Sequence, residues 1–213
     1  MRARSLLLAT LLPAWLAQGL DASGIPAQED WRDYGWVLQV GEEGDWDRFM
    51  EGTLTGSVVK LDETFLLYYG GACCYDRRLD SVTFRAIGVA TSQDGLRFAK
   101  HEHNPVVSWL PGNGKEEGAT SSAVAADPSG GVVLFYGANT QETRTTVNAD
   151  ARVGVSSDGL TFRDAGVALS HRDRDIWGAG DEIFPIIALH HDDRWIVYYV
   201  TNGVPQQRHL GVA

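Results

Sequence analysis

The sequence repeats one unit, and that repetition limits the architectures open to it. Phe65-Leu66-Leu67-Tyr68-Tyr69-Gly70 returns as Val132-Val133-Leu134-Phe135-Tyr136-Gly137 and again as Trp195-Ile196-Val197-Tyr198-Tyr199-Val200, at a spacing of about 65 residues. A second block, Ala86-Ile87-Gly88-Val89-Ala90-Thr91-Ser92-Gln93-Asp94-Gly95-Leu96-Arg97-Phe98, recurs as Arg152-Val153-Gly154-Val155-Ser156-Ser157-Asp158-Gly159-Leu160-Thr161-Phe162. A third copy starts at His209-Leu210-Gly211-Val212-Ala213.

Each copy reads as strands: short β-branched and aromatic runs separated by turn signals such as Asp94-Gly95, Asp158-Gly159 and Pro128-Ser129-Gly130-Gly131. In the first unit strands are expected at Ser57 to Leu61, Phe65 to Tyr69 and Ala86 to Ala90, with a fourth near Arg97 to His101. Four antiparallel strands per unit make a propeller blade. The expected fold is therefore all-β, a β-propeller with about three blades present, in units of about 45–108, 109–170 and 171–213. Propellers close with about four to eight blades, so the chain reads as a fragment of a longer propeller. The segment Trp31 to Val40 is then expected to be a strand completing a last blade. A complete three-unit sandwich is the alternative.

Residues 1–22 have the basic start, short apolar run and small residues of a secretory signal peptide, leaving 23–213 as the mature domain, secreted or periplasmic. Removing them takes away Arg2, Arg4 and Asp21, one net positive charge, and moves the formal net charge from −10 to −11. Nucleic acid and anionic membranes need clustered Lys and Arg, so neither is expected as a partner; neutral ligands fit better. The two cysteines, Cys73 and Cys74, are adjacent, leaving a vicinal disulfide or two thiols. Zinc lacks a second Cys pair or spaced His ligands.

The turns Ser92 to Phe98 and Ser156 to Phe162, each preceded by Gly-Val-Ala or Gly-Val-Ser, resemble the blade turns of the five-bladed propeller glycosidases. These comprise glycoside hydrolase family 43, with its arabinanases and xylosidases, and the invertase, levansucrase and mannoside-phosphorylase relatives. His103-Asn104-Pro105-Val106-Val107 is similar to the Asn-Pro-Val stretch that follows that turn there. Sialidase Asp-boxes are also similar, but carry one more residue between Asp and Gly, whereas Asp94-Gly95 and Asp158-Gly159 are adjacent. The resemblance implies a five-bladed propeller that hydrolyses glycosidic bonds, with a central calcium or sodium in some members. No cofactor is expected from these residues, and a calcium ion finds no ligand set among them.

Aligned on their tyrosine strands, the units open their inner strands at acidic residues: Glu51-Gly52-Thr53, Glu117-Gly118-Ala119 and Asp181-Glu182-Ile183. Inner strands line a propeller's channel, so these carboxylates are expected around one axial pocket. Glycoside hydrolysis needs an acid to protonate the leaving oxygen and a carboxylate to activate water or attack carbon. A third charge raises the acid's pKa. The resemblance implies Asp, Asp and Glu on successive blades. Here Glu117 is the candidate acid, Glu51 or Asp47 the base, and Asp181 or Glu182 the modulator, with Asp45 a rival on the first blade. Trp46, Trp109 and Trp177 each precede one of these starts and offer flat faces to a sugar, or else wedge between blades. The expected partner is a carbohydrate. A carbohydrate-binding propeller without catalysis, a sialidase-like enzyme and a glycoside phosphorylase are the alternatives.

Overall fold

The computed structural model describes residues 32–50, 56–77, 81–108, 117–143, 146–172, 182–203 and 207–213. The chain divides into residues 1–35 and 36–213, and every described strand belongs to the second unit. The first blade contains β1 (Phe49–Met50), β2 (Ser57–Leu61), β3 (Thr64–Asp76), β4 (Ser81–Ser92), β5 (Ala99–Lys100) and β6 (Val107–Ser108). The second contains β7 (Glu117–Ala126), β8 (Val132–Thr143), β9 (Thr146–Ser156) and β10 (Arg163–Leu169). The third contains β11 (Glu182–His191), β12 (Arg194–Gly203) and β13 (Gln207–Val212). Within each blade neighbouring strands pair antiparallel. β1 and β2 share one edge of β3, with Met50 opposite Gly71 and Ser57 opposite Tyr68. β5 and β6 share the far edge of β4.

The blades meet face to face. Successive side chains of a strand point to opposite faces, so β8 can bury two different sets. Val132, Leu134 and Tyr136 pack with Leu66, Tyr68, Ile87 and Val89 of the first blade. Val133 and Phe135 pack with Ala188 and Val197 of the third, beside Trp195. That double coverage explains why β8 opens as a continuous apolar run, whereas β2 alternates half-buried and exposed residues. Burial of a side chain such as Leu134 or Val132 contributes roughly 1.5–3 kcal/mol. β7 follows the same logic, with Val124 in the first interface and Ala123 in the second. The Val124 amide donates to Ser57 Oγ at 3.1 Å, tying β7 to β2.

The repeated Ser-x-Asp-Gly turn is built the same way twice. Ser92 Oγ accepts from the Gly95 amide at 2.9 Å, while Asp94 Oδ1 accepts from the amides of Leu96 at 2.8 Å and Arg97 at 2.9 Å. Ser156 Oγ and Asp158 Oδ1 do the same for Gly159, Leu160 and Thr161, each at 2.8 Å. These donors hold each Asp carboxyl down at about 2. Only the second turn faces another described blade: the Tyr68 hydroxyl donates to the Gly159 carbonyl at 2.7 Å, and the Tyr68 ring meets Phe162 edge-on.

Residues 32–40 form no strand, contrary to the expectation for Trp31 to Val40. Among the described residues no strand pairs with them, so their backbone has no ladder to join. Ile187 and Leu189 of β11 and Leu210 and Val212 of β13 are exposed.

Gly95 and Gly159 both have φ near +70°, at 71° and 73°, but a Cβ on Gly95 would meet only Phe65 at 3.5 Å. A Cβ on Gly159 would lie 2.4 Å from Leu66 and 3.0 Å from the Tyr68 hydroxyl. Gly95→Ala is expected to cost about 1–2 kcal/mol from the left-handed backbone alone, and Gly159→Ala about 1–3 kcal/mol more from overpacking. Urea denaturation of both variants measures the difference.

Because Asp94 and Asp158 have folded pKa values of about 2, below 3.8, their contribution is present above the unfolded value. It is lost as pH falls from about 4 toward 2. The double variant Asp94→Asn, Asp158→Asn is expected to have a lower urea midpoint at neutral pH and a smaller drop between neutral pH and pH about 3.

Candidate functional site

One row of backbone pairs crosses all three blades at the end where β7 and β11 begin. Ala72 lies opposite Arg85, Arg85 pairs parallel with Gly118, and Gly118 lies opposite Asn139. Asn139 continues to Ala149, which pairs parallel with Glu182, and Glu182 lies opposite Asn202. The two parallel pairs are the joints between blades. At the first joint the backbones nearly touch: a Cβ on Gly118 would come within 2.6 Å of Arg85 Cβ and 3.0 Å of its carbonyl oxygen. In the Glu117-Gly118 pair, the glycine permits that approach and thereby sets the strand that begins at Glu117 against the first blade. At the second joint Glu182 meets the buried Ala149, a small residue that leaves similar room.

Glu117 and Glu182 are the first residues of β7 and β11, so both stand at this rim. Glu182 is half-buried, and Arg85 beside Gly118 is half-buried too. Both strands shift register just past their start, between Thr120 and Ser122 and between Pro185 and Ile187, and such irregularities bend a strand and re-aim its end. Glu51, Asp181, Trp109 and Trp177 lie outside the described residues, and of Glu117 its place in the strand is described. Among the described residues no group of three or more His, Cys, Asp or Glu is arranged to hold a metal ion.

Asp47 sits elsewhere. It is 2% exposed. Its Oδ2 accepts from the Tyr69 hydroxyl at 3.0 Å and pairs with Lys100 Nζ at 2.7 Å. Asn104 Nδ2 donates to the same hydroxyl at 3.1 Å. The Asn104 amide also accepts from the Val89 amide at 2.9 Å and donates to its carbonyl at 2.9 Å. Burial, then the Asp47 carboxylate, pushes the Tyr69 phenol well above its ordinary range and keeps it a donor. The Trp46 ring lies beside Tyr69, with centroids 5.8 Å apart, and over Gly71 and Gly88, where a Cβ would meet it at 2.5 and 2.8 Å. Trp46 and Asp47 thus cover a face of the first blade, and Asp45 Oδ2 caps the local turn by accepting from the Glu42 amide at 2.8 Å.

The second blade carries a matching set with different chemistry. Tyr136 takes the place of Tyr69, Asp164 that of Lys100, and Arg152 that of Gly88. Arg152 and Asp164 form an ion pair, while burial and then Asp164 raise the Tyr136 phenol. A cavity of about 370 Å³ opens there, between Val106 to Ser108 and Tyr136, Gly154, Phe162 and Asp164. On the first blade Trp46 and Asp47 fill the corresponding place.

No protein-family model matches the chain, and no curated protein matches it. Solved structures do. A structure described as a glycoside hydrolase matches with a TM-score of 0.59 at 17% identity, over 83% of this chain and 49% of its own. A family-32 β-fructofuranosidase of Bombyx mori matches at 0.57 and 18% identity, over 74% of this chain and 32% of its own. A sucrose-6-phosphate hydrolase of Lactobacillus gasseri matches at 0.54 and 18% identity, over 76% and 30%. The fold is therefore that of the β-propeller glycoside hydrolases, present here as a partial propeller. The chain spans about half or less of the length of these structures.

Asp47→Ala leaves Lys100 without its carboxylate and Tyr69 without its acceptor. Folding stability is expected to fall by about 2–4 kcal/mol, toward the range for breaking a buried pair. Asp47→Asn, which keeps an acceptor, is expected to lose less. Equilibrium denaturation of the two variants is the measurement.

Proposed function

We propose that this chain carries the acid/base machinery of a glycoside hydrolase that acts outside the cytoplasm on an oligosaccharide or polysaccharide, in a propeller closed by five blades. The observation that carries the reading is the rim row, in which Glu117 and Glu182 open the inner strands of adjoining blades. The fold, shared with glycoside hydrolases, supports it. An export signal in residues 1–22 and the Cys73–Cys74 disulfide suit an oxidising compartment.

Glu117 is the general acid in this reading, protonating the leaving oxygen. Glu51 is the base or nucleophile in this reading, because Asp47 is occupied by Tyr69 and Lys100. Asp181, one residue before Glu182, supplies the charge that keeps the acid protonated, with Glu182 beside it. The predominantly acidic chain suits a neutral sugar rather than a polyanion.

Glu117→Gln is expected to lower kcat on an unactivated glycoside by about 10²–10⁴-fold, with glycoside binding kept within a fewfold. A 2,4-dinitrophenyl glycoside, whose leaving group needs no proton, should recover most of the loss. Binding by the parent chain without turnover on either substrate would instead identify a carbohydrate-binding propeller.

A further inference from the structure

We propose that the Cys73–Cys74 disulfide is a contact surface of the candidate site, an apolar platform for the C–H face of a sugar ring or of an aglycone. The proposal rests on the glycosidase reading and adds to it a residue pair that determines substrate affinity. Its first support is register. Cys73 lies opposite Phe84, and the next residue of β4, Arg85, pairs parallel with Gly118. Phe84 is therefore level with Glu117, and Cys73 stands in the same transverse row, two strand spacings away. Strands lie about 4.8 Å apart, so roughly 10 Å of sheet separates the disulfide from the strand position of the candidate acid. An oligosaccharide bound at that acid extends over such a span.

The second support is what the bond does not do. A bridge between neighbours in sequence closes no loop, so it removes almost none of the chain entropy through which disulfides stabilise folded proteins. Cys73 and Cys74 instead shape a surface. In a pleated strand successive side chains point to opposite faces, and the bridge ties the exposed sulfur of Cys74 to the buried Cys73. Cys73 is buried, which anchors the pair, while Cys74 is exposed at φ 66°, two residues before the end of β3. The joined sulfurs are soft and polarisable, and carry neither charge nor a hydrogen-bond donor. Such a surface suits the weakly polar face of a sugar, leaving its hydroxyls to the polar residues around it.

The test uses the full chain, oxidised and after reduction with tris(2-carboxyethyl)phosphine, with 4-nitrophenyl α-L-arabinofuranoside and sucrose as probes. Reduction is expected to raise KM and Kd for at least one probe about tenfold, the factor for losing about 55 Å² of apolar contact. kcat should change less than about twofold, as for a group that binds ground and transition states alike. The urea midpoint should stay fixed. Cys73→Ser with Cys74→Ser should reproduce the effect, and if that variant does not fold, the reduced parent still decides. Turnover with unchanged KM and Kd after reduction overturns the platform and leaves the hydrolase reading intact. A midpoint that falls together with affinity marks a structural brace and also overturns it. Weakened binding on reduction in a chain without turnover upholds the platform and removes the hydrolase reading. Failure of the oxidised chain to bind either probe overturns both.

Discussion

The structure depends on the coverage of β8 from both sides. Its odd and even side chains enter two separate cores, one shared with the first blade and one with the third. A single antiparallel sheet of this size has a face too many for water, so each blade needs a neighbour before its strands are stable. The Tyr68 hydroxyl donates to the Gly159 carbonyl across the contact of the first two blades. It joins a tyrosine of one repeat to the Asp-Gly turn of the next, so the same motif that ends one blade also docks it. Apolar stacking joins the two blades over a wide face, and this bond, the Val124–Ser57 bond and the Arg85–Gly118 pair join them at single points.

Stacking of that kind has a consequence at the rim. Where the faces come together, β4 reaches β7 and β9 reaches β11, each through one parallel pair. Such close approach demands a residue without bulk, and Gly118 and Ala149 meet the demand. The acidic residues flank these contacts: Glu117 precedes Gly118, and Glu182 pairs with Ala149. Packing and the proposed chemistry are therefore coupled through neighbouring residues, since a shift at the Arg85–Gly118 contact would move the start of β7 with it.

Much of this arrangement was legible in the residues. The tyrosine runs and the Ser-x-Asp-Gly turns marked the strands and their order because alternation and positive-φ turns are local properties. β2, β7 and β11 lie where the repeat placed inner strands, and β5 falls within the expected fourth strand. The segment before Val40 was misjudged because an apolar, aromatic stretch looks like a strand whether or not a partner edge exists. The surroundings of Asp47 were not legible either: Lys100 and Asn104 reach it by folding back across the sheet, and nothing in the spacing of single residues reports such a crossing. Cys73 and Cys74 showed that a vicinal bridge was available, but its end of the sheet became clear only from the pairing of Phe84 and Arg85.

Asp47 shows how this fold engages a carboxylate on a blade face. A side chain enclosed on a blade face must find partners there, as the buried Asp47 does with Tyr69 and Lys100. Enclosure of that sort is costly unless every charge is answered, and an answered charge is not available to a substrate. At the rim, among the described residues, the blades meet backbone to backbone through Arg85–Gly118 and Ala149–Glu182, so positions there are fixed by pairing rather than by a long side chain. The proposed site draws on positions set by that pairing: Glu117 and Glu182 at the starts of β7 and β11, with Cys73 in the row of Glu117. The number of acidic residues in the chain is therefore a poor guide to its chemistry, because a carboxylate such as Asp47 is already engaged within the fold.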